Sequence, residues 1–233
     1  MKLTDLKEIE FLNLGDDQIE KLNKYMEFTL EENSKFNLTR NDNIDDFIIK
    51  NILDSLLIVK DIDLSGSLVL DLGSGAGLPG IPLAIYYKTT NFVLLEPTTK
   101  RSNFLQKAKE LLNLENITVI NERAEDYISK EGNREKFDFV VSRAVSKLNI
   151  LLELSVPYLK VNGKLIAYKG LNYQNEIDET KKALNLLNSI VESAQESNLP
   201  FTNENRFNLI IKKEEKTTNK YPRSYKEISK KPL

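Results

Sequence analysis

Leu68-Val69-Leu70-Asp71-Leu72-Gly73-Ser74-Gly75-Ala76-Gly77-Leu78-Pro79-Gly80-Ile81-Pro82 decides how this chain folds. An apolar run leads into an aspartate and then into four closely spaced glycines. Glycine has no Cβ, so a turn built from it reaches positive φ and lets a ligand approach the backbone closely. The pattern reads as a strand entering a cofactor loop.

Two registers overlap in it. Gly75-x-Gly77-x-x-Gly80 matches the dinucleotide fingerprint literally. Asp71-x-Gly73-x-Gly75-x-Gly77 is the register of S-adenosylmethionine (SAM) methyltransferases. The loop alone leaves both open.

The flanks discriminate. Downstream, short β-branched runs at Leu68 to Leu70, Phe92 to Leu95, Ile117 to Ile120, Phe137 to Val141 and Lys164 to Ala167 alternate with helical stretches at 80 to 87, 99 to 112 and 147 to 159. This spacing predicts parallel strands with crossover helices. Ser189 to Ala194 and Phe207 to Ile211 follow with only a Pro200-containing loop between them, which predicts an antiparallel pair at the sheet edge. The fold class is therefore α/β, a Rossmann-like SAM-dependent methyltransferase sheet of seven mostly parallel strands ending in an antiparallel pair. Upstream, Asp17-x-x-Glu20 reads as a capping box, with Ile19, Leu22, Met26 and Leu30 at helical spacing behind it. Ile44, Ile48, Ile52, Leu56 and Val59 repeat that period. The chain divides into an N-terminal helical extension (1–62), a core (63–213) and a basic C-terminal tail (214–233).

Composition narrows the chemistry. The 233 residues are 40% hydrophobic and 29% charged, as expected of a soluble globular unit. No run approaches the roughly 18 to 20 apolar residues that span a bilayer, and the start lacks a signal-like apolar region, so the expected location is cytoplasmic, with no membrane contact. Zero cysteines and zero histidines argue against a disulfide framework and remove the common metal ligands. They exclude a Ser-His-Asp hydrolase, a zinc deaminase and a pyrimidine C5-methyltransferase with its cysteine nucleophile. Net charge is −2, unevenly spread: residues 1 to 60 hold 8 Lys/Arg against 13 Asp/Glu, and residues 212 to 233 hold 8 against 3. The basic tail fits RNA contact or a solvated terminus equally.

In an open α/β sheet the ligand lies beyond the carboxyl ends of the strands. Glu96, after the second strand, suits a ribose hydroxyl held by its two carboxylate oxygens, in either cofactor class. Ala124-Glu125-Asp126, after the third, suits an adenine edge or simply the start of a helix. Ser142-Arg143-Ala144, after the fourth, replaces the acceptor-rich motif of amino-nitrogen methyltransferases with a donor, which favours a carboxylate, a phosphate or guanine's acceptor edge.

Several segments together resemble the RsmG (GidB) family of 16S ribosomal RNA guanine-N7 methyltransferases: Asn37-Leu38-Thr39, Ile52 to Leu56, Asp71 to Pro82, Lys100-Arg101 with Phe104-Leu105, Glu115-Asn116-Ile117, Arg123-Ala124-Glu125, Ser142-Arg143-Ala144, Lys169-Gly170, Lys220 to Arg223 and Lys230 to Leu233. The resemblance implies SAM bound by Gly73 and Leu78 on the loop, by Ala124 and Glu125 after the third strand, and by Arg143; the loop register and strand-end position add Gly75, Gly77 and Glu96 as cofactor candidates. It also implies transfer to a guanine N7 in the ribosomal decoding-region loop, by a chain expected to be monomeric. Two departures stand out. The family's Arg-His before Ile-Leu-Asp-Ser-Leu is here Lys50-Asn51, and Tyr225 to Ile228 replaces its tail glycine and proline.

Guanine N7 is an unprotonated lone pair, so no catalytic base and no metal are expected. Lys100, Arg101, Lys147, Lys169 and Arg223 are candidate phosphate contacts. Two other readings remain: a non-enzymatic SAM- and RNA-binding ribosome-assembly protein, motivated by Lys50-Asn51, and an NAD-dependent oxidoreductase, motivated by the Gly75-x-Gly77-x-x-Gly80 register.

Overall fold

The computed structural model describes residues 2–8, 11–40 and 42–233; residues 1, 9, 10 and 41 of the expected helical extension lie outside them. Each apolar run becomes a strand because alternate side chains leave a strand on opposite faces, and here helices cover both. Seven strands result: β1 (Leu68–Leu72), β2 (Asn91–Leu95), β3 (Ile117–Ile120), β4 (Phe137–Arg143), β5 (Leu159–Lys169), β6 (Ser189–Asn198) and β7 (Asn205–Lys213). Their order is β3-β2-β1-β4-β5-β7-β6. The first five pair in parallel, and β7 runs antiparallel to both β5 and β6. The expected mostly parallel sheet with its antiparallel edge pair is therefore observed. The strand order reverses between β1 and β4, which opens a crevice at their carboxyl ends.

One face of the sheet carries α1 (Asp16–Asn33), a composite helical run over 44–60, α4 (Gly80–Tyr86) and α5 (Thr99–Leu111). The run comprises α2 (Ile44–Phe47), a π-helical turn (Ile48–Leu53), α3 (Asp54–Leu56) and a 3-10 turn (Leu57–Lys60). Leu22, Phe47, Ile52 and Leu56 of this N-terminal segment share one buried cluster with Val69, Val141 and Ile210 of the sheet. The cap of α1 lies earlier than the sequence suggested. Gly15 precedes the helix and its N–H donates to Gln18 Oε1 at 2.9 Å, while Gln18 Nε2 donates to the carbonyls of Ile85 and Tyr86 at the end of α4. Gln18 so satisfies unpaired groups of two helices at once.

The other face carries α6 (Ala124–Tyr127), α7 (Leu148–Ser155), a 3-10 turn at Val156–Tyr158 where Pro157 ends α7, and α8 (Tyr173–Glu179) and α9 (Lys181–Leu186), neither of which was expected. The basic tail ends in α10 (Tyr225–Lys230), with Tyr221 and Ile228 buried in the same cluster as Leu151 and Leu152. Arg223 clamps this tail. Its Nε and Nη2 lie 2.8 and 2.6 Å from the two carboxylate oxygens of Glu153, which is fully buried. No helix among the described residues is long and apolar enough to cross a membrane.

Candidate active site

The loop after β1 is held from below and from both sides. The Gly73 and Ser74 N–H groups donate to Leu95 O at 2.9 and 3.2 Å, and Ser74 Oγ donates to Asp71 O at 3.0 Å. Gly73 has φ +76°, and a Cβ there would lie 2.6 Å from Val145 Cγ2, so a side chain at 73 is excluded on both counts. Gly80 serves a different purpose. A Cβ on it would lie 2.4 Å from Leu94 and 2.5 Å from Asp71 Oδ2, and its N–H donates to that oxygen at 3.0 Å. It lets α4 press against β1 and β2.

Asp71 is fully buried, and its other oxygen has no hydrogen-bond partner. Burial pushes its pKa up to about 7, against the pull of the Gly80 amide, the Ser74 side chain and the Arg143 charge. From above, the buried Tyr25 of α1 donates its hydroxyl to Ala76 O at 2.7 Å, so the N-terminal segment positions the loop directly.

Glu96, at the end of β2, is buried, and each of its carboxylate oxygens accepts one amide: Gly75 N–H on Oε2 and Thr98 N–H on Oε1, both at 2.9 Å. A carboxylate has about four lone-pair sites, so each oxygen keeps one for a further donor. Asn121, which the sequence reading did not single out, ties the ends of β2 and β3 by donating to Glu96 O and Pro97 O at 2.9 and 3.1 Å. Ala124 opens α6 and Glu125 follows in its first turn, so the helix-start reading of this segment holds alongside any ligand role.

Ser142-Arg143-Ala144 does three separate jobs. Ser142 Oγ donates to Leu72 O at 3.0 Å, fixing β4 to the exit of β1. Ala144 has φ +57°, a left-handed turn that brings Val145 over Gly73. Arg143 turns toward the N-terminal segment, with Nη1 2.9 Å from both Lys50 O and Asp54 Oδ2 and Nη2 3.1 Å from Asn51 Oδ1. Asn51 also donates to Thr39 Oγ1 at 3.2 Å. The polar side chain at position 51 thus makes hydrogen bonds within the protein, and its backbone belongs to the π-helical turn, a feature frequent at functional sites. Arg206 of β7 reaches Asp54 from the other side, with Nε 3.1 Å from Oδ1. Burial raises the Asp54 pKa even against the two guanidiniums.

Beyond the ends of β4, β5 and β7 lies a cavity of about 430 Å³ lined by Asp54, Arg143, Val145, Lys169, Arg206 and Asn208, among others. This is within the range of small-ligand sites. Val145 belongs to both its wall and the cover of Gly73, so cavity and glycine loop adjoin.

The five basic candidates separate. Lys100 and Lys147 are exposed and Arg101 is half-buried; the Lys100 ammonium lies 4.3 Å from the centre of the Phe36 ring. Lys169 and Arg223 have internal partners instead: Lys169 Nζ is 2.7 Å from Glu176 Oε2, and Arg223 holds Glu153.

Against known proteins, the model of the GidB family, described as rRNA small subunit methyltransferase G, matches residues 18–209. The chain belongs to the GidB family. It is 41% identical to the ribosomal RNA small subunit methyltransferase G of Caldicellulosiruptor bescii across all of both chains. It is 43% identical to the protein of that name from Thermotoga maritima, over 95% of this chain and 90% of that one. Among solved structures, M. jannaschii TYW2 in complex with AdoMet aligns with a TM-score of 0.54 at 16% identity, over 74% of this chain and 77% of that one. A SAM-dependent methyltransferase from Aquifex aeolicus aligns with a TM-score of 0.53 at 16% identity, over 79% and 98%. The fold is thus that of SAM-dependent methyltransferases. Within this family the ambiguity of the glycine loop is resolved: the chain is a methyltransferase and its cofactor is SAM.

Proposed function

We propose that this protein methylates N7 of one guanine in 16S ribosomal RNA by direct displacement, without a general base. The observation that carries the reading is the abutment of two sites. The glycine loop and Glu96 form a cofactor cradle, and Val145 both covers Gly73 and lines a polar cavity at the end of β4. The cradle fits SAM: Gly73, Gly75 and Gly77 carry the loop through positive φ, a Cβ on Gly75 would meet only the Gly73 carbonyl within 4 Å, Leu78 follows, and Glu96 keeps acceptor capacity for two vicinal hydroxyls. Ala124 and Glu125 stand at the end of the next strand for the adenine.

When bound, SAM supplies a methyl group on a positively charged sulfonium, a strong electrophile. The protein's own contribution is then alignment and exclusion of water. Holding two reactants in line removes roughly 7 to 11 kcal/mol of barrier when orientation is nearly ideal. N7 already presents its lone pair, so a site without histidine or cysteine suffices. N7 lies on the Hoogsteen edge, which an unstacked or single-stranded base exposes best. Arg143, held by Asp54 and Asn51, acts by keeping the β4 turn and the 44–60 run in register around the cavity. Lys100, Arg101 and Lys147 are the side chains available to phosphate. In this reading 1–62 is a positioning extension, 63–213 the catalytic core and 214–233 a docked tail, in a monomer working in the cytoplasm on 16S rRNA or the small subunit.

Incubation with methyl-labelled SAM and small subunits from cells lacking the modification tests it. Label in 16S rRNA is expected. SAM binding with no transfer to rRNA or subunits would contradict it and leave a binding protein.

A further inference from the structure

The cavity holds a donor that nothing in the protein uses. Asn208 of β7 is 1% exposed, lines the cavity, and its Nδ2 has no hydrogen-bond partner. A buried amide left this way costs about 1–3 kcal/mol unless something completes it. Its cross-strand neighbour Gln195 also has an unbonded buried oxygen, so the two amides do not satisfy each other. Arg206, two residues along the same strand face, adds a guanidinium to this side of the cavity. Glu176 of α8 supplies the opposite polarity. Its Oε2 holds Lys169 at 2.7 Å and Leu148 N–H at 2.9 Å, and its Oε1 has no hydrogen bond among the described residues. The lining thus offers donors from β7 and an acceptor from α8.

Guanine carries the matching alternation, with O6 an acceptor beside N7, and N1–H and the N2 amino group donors on the adjoining edge. Adenine has an amino donor in place of O6 and an acceptor at N1.

We propose that Asn208, supported by Arg206, is the residue that reads guanine O6, and that Glu176 Oε1 receives the N1–H and N2 amino edge, so that base selection resides in β7 and α8. This rests on the guanine-N7 reading above.

The test is single-turnover methylation of small subunits reconstituted on rRNA carrying either guanine or 2-aminopurine, which lacks O6 and the N1–H, at the mapped target. Asn208→Ala is expected to slow transfer to guanine about 10- to 100-fold, to leave the SAM dissociation constant within twofold, and to have no effect on the already slow 2-aminopurine reaction. Asn208→Ser, which keeps a donor of shorter reach, recovers part of the guanine rate, and Gln195→Ala leaves it unchanged. Unaltered SAM affinity shows that each variant is folded. Should Asn208→Ala fail to fold, Asn208→Ser and Glu176→Gln are compared with the wild type on the same two substrates. Equal guanine rates for wild type and variants, or equal losses on both purines, overturn the assignment while leaving the N7 reading intact. Wild-type transfer to an atom other than N7 removes that reading and this inference with it.

Discussion

Asp71→Asn should stabilise the protein most above pH 7 and much less at pH 5. The carboxylate lies fully buried beneath the glycine loop, with its pKa raised from 3.8 to about 7, first by desolvation and secondarily by the nearby Glu96, while the Gly80 amide, Ser74 and Arg143 pull it down. A raised acid pKa means that the folded state keeps a proton the unfolded chain releases. Stability therefore falls as pH rises from about 4 to 7, and the full penalty applies above 7. A shift of this size at 1.36 kcal/mol per pH unit corresponds to a penalty on the order of 4 kcal/mol. Asparagine removes the charge and keeps an oxygen for the Gly80 N–H, 3.0 Å away. At roughly 2–4 °C per kcal/mol for a chain of this size, the variant should melt about 8–16 °C above wild type at pH 8 and about 3–6 °C above it at pH 5, where only the first ~1.5 kcal/mol of the penalty has developed. Circular-dichroism melting at the two pH values reads this directly. Parallel behaviour of the two proteins from pH 5 to 8 would refute the reasoning, because it would mean that Asp71 stays ionised throughout.

Gly73→Ala places a methyl 2.6 Å from Val145 in a left-handed backbone and should weaken SAM binding more than tenfold by calorimetry, with Val145→Ala restoring part of the loss. Failure of the second substitution to restore anything would show that the contact does not matter. Tyr25→Phe strands the Ala76 carbonyl and should cost about 1–3 kcal/mol in urea unfolding together with SAM affinity; unchanged SAM affinity would separate α1 from the loop. Arg223→Ala leaves Glu153 buried and unpaired and should destabilise the protein by about 3–5 kcal/mol, with Glu153→Leu added on top recovering much of it. A selective loss of RNA affinity at unchanged stability would instead return Arg223 to the phosphate contacts.

The sheet was legible because its signals are local. Each strand is a short apolar, β-branched run, and the missing helix between Ser189–Ala194 and Phe207–Ile211 announces the antiparallel edge. The glycine loop was equally plain. What escaped depended on distance or on weak periodicity. The partners of Arg143 lie 89 to 93 residues away at Asp54, Asn51 and Lys50, and no spacing rule connects them. The repeat of four residues through Ile44, Ile48, Ile52 and Leu56 is longer than the 3.6 of an α-helix, a hint of the π-helical turn found there. Helices α8 and α9 are short, polar and separated at Thr180, so neither reaches the length at which periodicity speaks. The tail fitted RNA contact or a solvated terminus equally because charge dominates its composition; Tyr221, Ile228 and the Arg223–Glu153 pair dock it. Asn208 was invisible for a related reason. A single asparagine in a strand means nothing until its neighbours leave it without a partner.

The central claim is the atom that receives the methyl group. Small subunits lacking the modification, treated with the protein and methyl-labelled SAM and then digested to nucleosides, should carry the label in 7-methylguanosine at a single 16S rRNA position. Label in a base methylated on an exocyclic amine, on carbon or on ribose would contradict the account.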